Sequence, residues 1–417
     1  MKILETKIEN FRGIRSLTID LRNSKTSLLI GINGSGKSTV LDCIAILMSW
    51  LHNRIRFPSS NGIIPTEIDI NNDQNETKIE ATVSYQEKEY TWNIVKTRSG
   101  RRKQKVSDLR YLKNIASMIL DDLERDVKSS IPLVVYYPVN RAVLDIPLRI
   151  RKKHSFDQFS AYENALAGRG ADFRTFFEWY REQEDLENEN YTLFKTSEQD
   201  PQLYAVRSAV YSLTGFTNLR VRRNRLRMEV NKNNEILRVN QLSDGEKCLL
   251  ALAGDLARRL TLANPSLDNP LTGEAVVLID EIDLHLHPRW QREVITKLQN
   301  TFPQCQFIVT THSPQVISEA QSAIFYTLEN TSEGIQASLL ENVYGRDSNQ
   351  ILEDVMETSE RPIEIKKMLL EYFDHIDRGK LSEASVIRKN LEEVIGSDEP
   401  VFAKADTLIR RKEILGR

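Results

Sequence analysis

The glycine-rich stretch Gly31–Ser38 constrains the fold of this chain more than any other feature of its sequence. It reads GINGSGKS, follows the apolar run Ser27–Ile30, and precedes a segment whose apolar residues recur with helical spacing. The stretch matches the pattern G-x-x-x-x-G-K-[ST] in full. Because a strand, a glycine loop and a helix follow one another here, we interpret the stretch as a phosphate cradle and not as an ordinary glycine-rich turn.

The residue types of this cradle predict separate roles in binding a phosphate chain. Lys37 would reach the β- and γ-phosphates, and the Ser38 hydroxyl would ligate Mg²⁺. The backbone N–H groups of the loop and of the helix N-terminus would face the anion. The other residues predicted to contact the nucleotide are Asn33, Gly34, Ser35, Gly36 and Thr39.

A second feature is an apolar strand that ends in two adjacent acids. The run Ala275–Ile279 is followed directly by Asp280 and Glu281. Neighbouring side chains of a strand point to opposite faces, so the two acids can do different work. Asp280 is predicted to hold the magnesium shell, and Glu281 to orient the attacking water as a catalytic residue. A buried strand with a solvent-facing acidic end is the alternative interpretation.

Composition sets outer bounds on the class of protein. Of the 417 residues, 40% are hydrophobic, which suffices for one large or two medium cores. The formal net charge of −2 does not by itself indicate a nucleic-acid binder. Cys43, Cys248 and Cys305 form no CxxC pair, so we expect no disulfide framework or zinc site and a cytoplasmic location. No signal peptide is visible, and no run approaches the ~20 apolar residues that span a bilayer.

The hexapeptide Leu242–Lys247, LSDGEK, stands at the start of a predicted helix. Ser243 and Glu246 lie three residues apart, so the local interpretation is a capping box. The hexapeptide also resembles the signature motif of ABC-type and SMC-type ATPases, whose heads show the same order of P-loop, signature, acid strand and histidine. The resemblance implies ATP and Mg²⁺ as cofactors and a homodimer of heads. Ser243 and Gly245 of one head would then contact the ATP held by the other head's P-loop.

Further residues acquire expected roles from the same resemblance. His312, in the segment TTHSP, resembles the switch histidine that contacts the γ-phosphate and is the second expected catalytic residue. Arg12, in the segment NFRG, resembles an arginine that lies near the nucleotide. The family's Q-loop glutamine has no counterpart, and Asn140 or Arg141 in YYPVNRAV could substitute for it.

The segment Asp280–Gln291, DEIDLHLHPRWQ, resembles the OLD-like branch of these ATPases. The alternation of His285 and His287 could suggest a pair of metal ligands, but no third ligand is placed nearby. We therefore expect both in a dimer-facing loop, with Asp283 at the D-loop position. The chain lacks room for a Toprim nuclease domain or long coiled-coil arms. It therefore resembles the PtuA-type ATPase of Septu anti-phage systems, also found beside retrons. That resemblance implies a separate HNH nuclease partner of the PtuB type.

The predicted fold class is α/β: an ABC/SMC-type P-loop head with a mixed β-sheet and a β-meander, a helical insertion and a helical C-terminal tail. We expect an N-terminal lobe over residues 1–147, the insertion over 148–217, a C-terminal lobe over 218–342 and a helical region over 343–417. The apolar stripes of this last region could pack on the head or dock a partner. Within the C-terminal lobe, NLRVRRNRLRMEVNKNNEILRVNQ is predicted to form two strands around an NKNNE turn.

Charged runs leave two interpretations open. A basic run can follow a phosphate backbone, or it can be a solvated loop or strand edge. The basic runs are Arg98–Lys105, Arg149–Lys153 and Arg220–Arg225. The acidic run Glu182–Asn190 is predicted to be a solvated helix face.

Three functions fit these features. The favoured one is a slow, switch-like ATPase that dimerises on ATP, assembles into a higher oligomer, and regulates or scaffolds an HNH nuclease in anti-phage defence. The second is a RecF-like DNA-repair clamp on duplex DNA. The third is a self-contained OLD-like nuclease, against which the missing Toprim and HNH residues argue.

Overall fold

The structure is a computed structural model that describes residues 1–100, 105–139, 156–167, 173–194, 199–341, 343–356 and 358–415. Asn140, Arg141 and the basic run Arg149–Lys153 lie outside the described residues, as does part of Arg98–Lys105. The chain divides into two compact units, Met1–Ile351 and Leu352–Arg417. The predicted lobes and insertion subdivide the first unit and stay predictions.

The elements have the following bounds. The strands are β1 (Lys2–Phe11), β2 (Ile14–Asp20), β3 (Thr26–Ile30), β4 (Glu76–Tyr85), β5 (Lys88–Thr97), β6 (Leu133–Tyr137), β7 (Thr217–Arg222), β8 (Arg227–Lys232), β9 (Glu235–Arg238), β10 (Ala275–Ile279), β11 (Cys305–Thr310), β12 (Ile324–Thr331) and β13 (Gly334–Leu340). The helices are α1 (Lys37–Arg56), α2 (Arg110–Arg125), α3 (Phe173–Phe194), α4 (Pro201–Thr214), α5 (Asp244–Ala263), α6 (Pro288–Thr301), α7 (Pro314–Glu319), α8 (Ser348–Asp354), α9 (Ile363–Asp377), α10 (Leu381–Ile395) and α11 (Pro400–Leu415).

The central sheet has the strand order β13-β12-β3-β11-β10-β6. From β12 to β6 the strands run parallel, and β13 closes the sheet with an antiparallel hairpin on β12. Every residue of β3, β6, β10 and β11 is buried. Continuous apolar runs are typical of strands covered on both faces, which is why their sequences show no alternation.

The register of the central sheet brings the predicted motifs to one edge. Ile279 of β10 pairs with Val309 of β11, and Thr310 pairs with Leu29 of β3. Parallel strands end at the same edge of a sheet, where α/β proteins bind their ligands. The residues that follow β3, β10 and β11 are therefore neighbours, although they lie some 280 positions apart in the sequence, from Gly31 to Thr311.

A second sheet is antiparallel, with the order β2-β1-β4-β5. It includes the predicted β-meander, and its β1 and β4 alternate between buried and less buried residues. Buried Gln306 of β11 joins the two sheets, since its side-chain oxygen accepts from Ile3 N and its nitrogen donates to Ile3 O, both at 2.8 Å.

The predicted NKNNE turn is present between β8 and β9, but the expectation of only two strands between residues 218 and 241 is wrong. The segment forms three strands, in the order β7-β8-β9. A first turn lies between Arg222 and Arg227, and a second at Asn233 and Asn234, both of which have positive φ. The first turn contains neither glycine nor proline, so its sequence gives no strong turn signal.

Helix α5, which begins within the LSDGEK hexapeptide, is almost entirely buried because α3 and α4 pack around it. Its charged residues pair with one another: Asp255 accepts from Arg258 at 2.8 Å and from Arg259 at 2.7 Å. Burial alone would raise the pKa of the Asp255 carboxyl, but the two guanidinium groups lower it overall. Tyr137 at the end of β6 donates to the same carboxylate at 3.0 Å.

The second unit has its own apolar core, formed by α9, α10 and α11. The buried side chains of this core are Leu369, Tyr372, Ile376, Ala384, Leu391, Phe402 and Ala405. Arg388 of α10 forms an ion pair with Asp406 of α11. Among the described residues, no helix combines the length and apolar character needed to cross a membrane.

Candidate active site

The loop between β3 and α1 forms the cradle that the motif predicts. Gly36 caps α1 with a φ of 92°, a left-handed conformation that residues with a Cβ rarely adopt, and no side chain caps the helix. The first N–H groups of α1 therefore keep their capacity to bind an anion. Ser35 adds a buried hydroxyl with no hydrogen-bond partner among the described residues. These donors fit a phosphate group.

Lys37 lies in the centre of the site with a side chain that is 5% exposed. Its ammonium donates to Gly31 O and Ile32 O, each at 2.9 Å, so in this state it closes back onto its own loop. Burial lowers the pKa of Lys37 to about 8, even though the carboxylates of Asp280 and Glu281 act to raise it. The negative charge of a bound phosphate chain would stabilise the protonated form of Lys37.

A chain of hydrogen bonds ties the cradle to the acid strand. Ser38 Oγ donates to Asp280 Oδ1 at 3.0 Å, and Thr310 Oγ1 donates to the same oxygen at 2.6 Å. Asp280 is 3% exposed, and its N–H donates to Tyr137 O at 2.9 Å. Hydroxyl and carboxylate oxygens are the ligands that Mg²⁺ prefers, so Ser38 and Asp280 fit the predicted metal-binding roles.

Glu281 follows Asp280 in an unusual backbone conformation. Its φ is 47°, in the left-handed region, and its N–H donates to Thr310 Oγ1 at 2.7 Å. A non-glycine residue held there stores on the order of 1–3 kcal/mol of strain, and such residues cluster at active sites. The Glu281 side chain is half-buried, and its charge acts on Lys37 and His312.

His312 completes the group at this edge of the sheet. Asp283 Oδ1 accepts from Thr311 Oγ1 at 2.6 Å and from His312 N at 3.2 Å. Burial first, and the charge of Lys37 second, lower the pKa of the His312 imidazole. The imidazole is therefore neutral at physiological pH and can donate one hydrogen bond.

Thr310 is the functional residue that the sequence interpretation missed. Its one hydroxyl donates to Asp280 and accepts from Glu281, so it orients both acids at once. The sequence feature that could have identified Thr310 is its position at the end of β11, two residues before His312. Without the strand register, however, nothing in the sequence puts β11 beside β10.

The signature hexapeptide begins α5 with the predicted capping box. Ser243 Oγ accepts from Glu246 N at 3.4 Å, and Glu246 Oε2 accepts from Ser243 N at 2.9 Å. Lys232 of β8 pairs with Glu246 at 2.5 Å. A Cβ on Gly245 would overlap the carbonyl oxygen of His285, so only glycine lets this helix start approach the loop after β10. Ser243 itself is exposed.

Arg12 and His287 contact groups of the protein itself, whereas His285 is exposed. Arg12 donates to Asp42 Oδ2 of α1 at 2.6 Å and to Asp69 Oδ1 at 3.0 Å, so it is tied to the helix that follows the cradle. His287 caps α6 by accepting from the backbone N–H of Arg289 at 3.3 Å, and His285 is exposed. In the part of the chain that the structure describes, no group of three or more metal-ligating side chains converges.

The prediction of a solvated acidic face on α3 holds for most of Glu182–Asn190, which is exposed or half-buried, but not for Glu184. Glu184 is buried and pairs with Arg223 at 2.9 Å, and Asp185 pairs with the same arginine at 2.5 Å. Arg222, in the same basic run, pairs with Glu229 at 2.9 Å. Acidic and basic runs that look independent in the sequence therefore neutralise each other, which weakens the case for a phosphate-binding stripe at Arg220–Arg225.

The fold and the site together define a class of protein. The phosphate cradle lies between a strand and a helix, and the acid strand lies in the same sheet. A capped signature helix and a histidine at the end of the neighbouring strand complete the site. These are the parts of an α/β P-loop ATPase head of the ABC/SMC type. The predicted fold class is confirmed.

Comparison with known proteins identifies the family. The profile described as "AAA domain, putative AbiEii toxin, Type IV TA system" matches residues 27–318, and the chain belongs to this family. The Retron Ec83 probable ATPase of Escherichia coli is 33% identical over 99% of this chain and 87% of its own length. The Septu protein PtuA of Bacillus mycoides (strain KBAB4) is 39% identical over 26% of this chain and 13% of its own.

The resemblance to PtuA-type and retron-associated ATPases is thus confirmed, and an ATPase activity is supported. Among solved structures, the SMC head domain from Thermotoga maritima aligns with a TM-score of 0.45 and 17% identity, over 82% of this chain and 100% of that chain.

Proposed function

We propose that this chain is an ATP-binding and ATP-hydrolysing head that dimerises on ATP and controls a separate HNH nuclease in anti-phage defence. The observation that carries the ATPase part is the hydrogen-bonded chain from Ser38 through Asp280 to Thr310 and the backbone of Glu281. It joins the phosphate cradle to a carboxylate that can hold a metal and to a second one that can act on water.

Each residue has a role that its surroundings support. Lys37 releases the carbonyl oxygens of Gly31 and Ile32 and binds the β- and γ-phosphates of ATP. Ser38 and Asp280 hold Mg²⁺, which when bound neutralises charge on the phosphates. Glu281 orients the attacking water and accepts its proton. His312 donates a hydrogen bond from its neutral imidazole to the γ-phosphate.

The dimer follows from the exposed helix start at Ser243. Ser243 is exposed at the N-terminus of α5, where its hydroxyl donates to Glu246 Oε2 within the capping box. A phosphate oxygen of a second head would replace that carboxylate as the acceptor. In our proposal this helix start contacts the γ-phosphate bound to the second head. ATP then holds two heads together, and its hydrolysis or loss releases them.

The nuclease partner is proposed from the relatives and from the second unit. The relatives carry the names of retron and Septu proteins. The helices of the second unit keep apolar side chains on their surface, which favours docking of another protein. These exposed side chains include Ile363, Leu370, Val386 and Val394. Cys43, Cys248 and Cys305 are buried and form no disulfide in the described part of the chain, which suits the cytoplasm as the proposed location.

Purification of the tagged chain from its native operon tests this function. We expect an HNH nuclease to co-purify in stoichiometric amount with ATP and Mg²⁺ present, and its amount to change when ATP is removed. Lys37→Ala, which removes the amine that binds the phosphates, is the matched control and should lose the ATP effect. Recovery of duplex DNA with no nuclease, and ATPase activity stimulated by that DNA, would instead favour the repair clamp.

A further inference from the structure

The side chain of Gln291 bridges two loops of the site. Gln291 lies in the first turn of α6, and its Nε2 donates to Leu286 O at 2.9 Å and to Asp283 O at 3.3 Å. Both carbonyls belong to the loop between β10 and α6, which also carries exposed His285 and His287. One amide thus fastens this loop, residues 283–287, to the helix that follows it.

The other end of the same amide reaches the histidine segment. Gln291 Oε1 accepts from Ser313 Oγ at 2.8 Å, and Ser313 is the residue after His312. Ser313 Oγ is also 3.0 Å from Gln315 Oε1, but a hydroxyl has one proton and can donate to only one of these oxygens at a time. The orientation of the Gln291 amide is fixed, because its nitrogen faces two carbonyl oxygens that can only accept.

Asp283 closes the connection from the opposite side. Its carboxylate accepts from Thr311 Oγ1 and from His312 N, while its carbonyl oxygen accepts from Gln291. The loop 283–287 and the segment around His312 therefore hold each other through two routes, one on each side of the histidine. A displacement of the loop has to move His312 or break one of these hydrogen bonds.

We propose that Gln291 is a positioning residue that couples the position of the loop 283–287 to that of His312. The inference rests on the proposed ATPase function. The loop carries exposed His285 and His287 and lies against the signature at Gly245, so a second head that contacts the signature in our proposal also contacts this loop. Gln291 transmits that contact to Ser313 and sets the distance between the His312 imidazole and the γ-phosphate. It touches neither substrate nor metal.

Gln291→Ala tests the coupling, with Gln299→Ala as the matched control. Gln299 lies on the same helix, is also half-buried, and donates to Thr26 Oγ1 at 3.0 Å, away from the site. We expect Gln291→Ala to lower kcat by roughly tenfold to a hundredfold while KM and the Kd for ATP stay within about twofold. Gln299→Ala should keep kcat, and Gln291→Met, which retains the length but not the amide, should reproduce the loss.

A double-mutant cycle separates coupling from general loosening of the fold. Ser313→Ala removes the other partner of the hydrogen bond and also the side-chain cap of α7, so it should lower kcat to at least a similar extent. The Gln291→Ala/Ser313→Ala pair should lose no more than the single variants. The inference would be overturned if the kcat losses of the two single variants multiplied in the double variant. It would also be overturned if Gln291→Ala had the same kcat as Gln299→Ala. Either result leaves the ATPase proposal standing. A wild-type chain that does not hydrolyse ATP would overturn both.

Discussion

The buried amine of Lys37 predicts that ATP affinity falls as the pH rises through the range in which other lysines stay charged. Its pKa of about 8 in the free protein results from burial, against the opposing charges of Asp280, Glu281 and Asp283. Bound phosphates favour the ammonium and raise that pKa. ATP therefore binds together with a proton when the pH lies between the two values, and affinity decreases with increasing pH.

The magnitude follows from the free-state pKa alone. When only the protonated amine binds, the apparent Kd scales with 1 + 10^(pH − pKa). With a pKa of about 8, Kd rises about eightfold between pH 7.5 and pH 9, and then approaches tenfold for each further pH unit. A lysine with an ordinary pKa of about 10.4 would change Kd by only about 4% over the same interval.

Isothermal calorimetry with a non-hydrolysable ATP analogue measures both quantities. Titrations at pH 9 in two buffers of different ionisation enthalpy should report uptake of about 0.9 proton, against about 0.2 at pH 7.5. Lys37→Arg is the control, because a guanidinium stays protonated throughout and its Kd should be independent of pH. A wild-type Kd that is flat from pH 7.5 to 9, with no proton uptake, would refute the argument that burial has displaced this pKa.

Three further predictions concern hydrolysis and dimerisation. Glu281→Gln should keep ATP binding but lower turnover by at least about a hundredfold and accumulate ATP-bound dimers in size-exclusion chromatography, whereas normal turnover would contradict its role toward water. Thr310→Val should lower turnover and reduce the free energy of unfolding by roughly 1–3 kcal/mol in denaturant titrations, because it leaves the Glu281 N–H without its acceptor. Thr310→Ser keeps the hydroxyl and should behave like wild type. Ser243→Arg should bind ATP as a monomer and fail to dimerise in light scattering, with exposed Ser382→Arg as the control; dimers formed by Ser243→Arg would remove the role in trans.

The features that the sequence determined are those whose residues are close in the chain. The cradle from Gly31 to Ser38 is readable because one turn and one helix start supply all of its groups. The capping box of Ser243 and Glu246 is equally local, and the structure confirms it. The apolar run before Asp280 gave the position of a buried strand for the same reason.

The tertiary structure decided what those motifs contact. Thr310 forms a hydrogen bond with Asp280 only because β11 lies beside β10 in register. The hydrogen bond between Gln291 and Ser313 joins a helix to a loop 22 residues away. The tertiary structure likewise pairs Arg223 of the basic run with buried Glu184 of the acidic run. Local sequence specifies backbone conformation through dihedral preferences and short-range hydrogen bonds, whereas contacts between distant segments depend on strand order and register, which no single segment encodes.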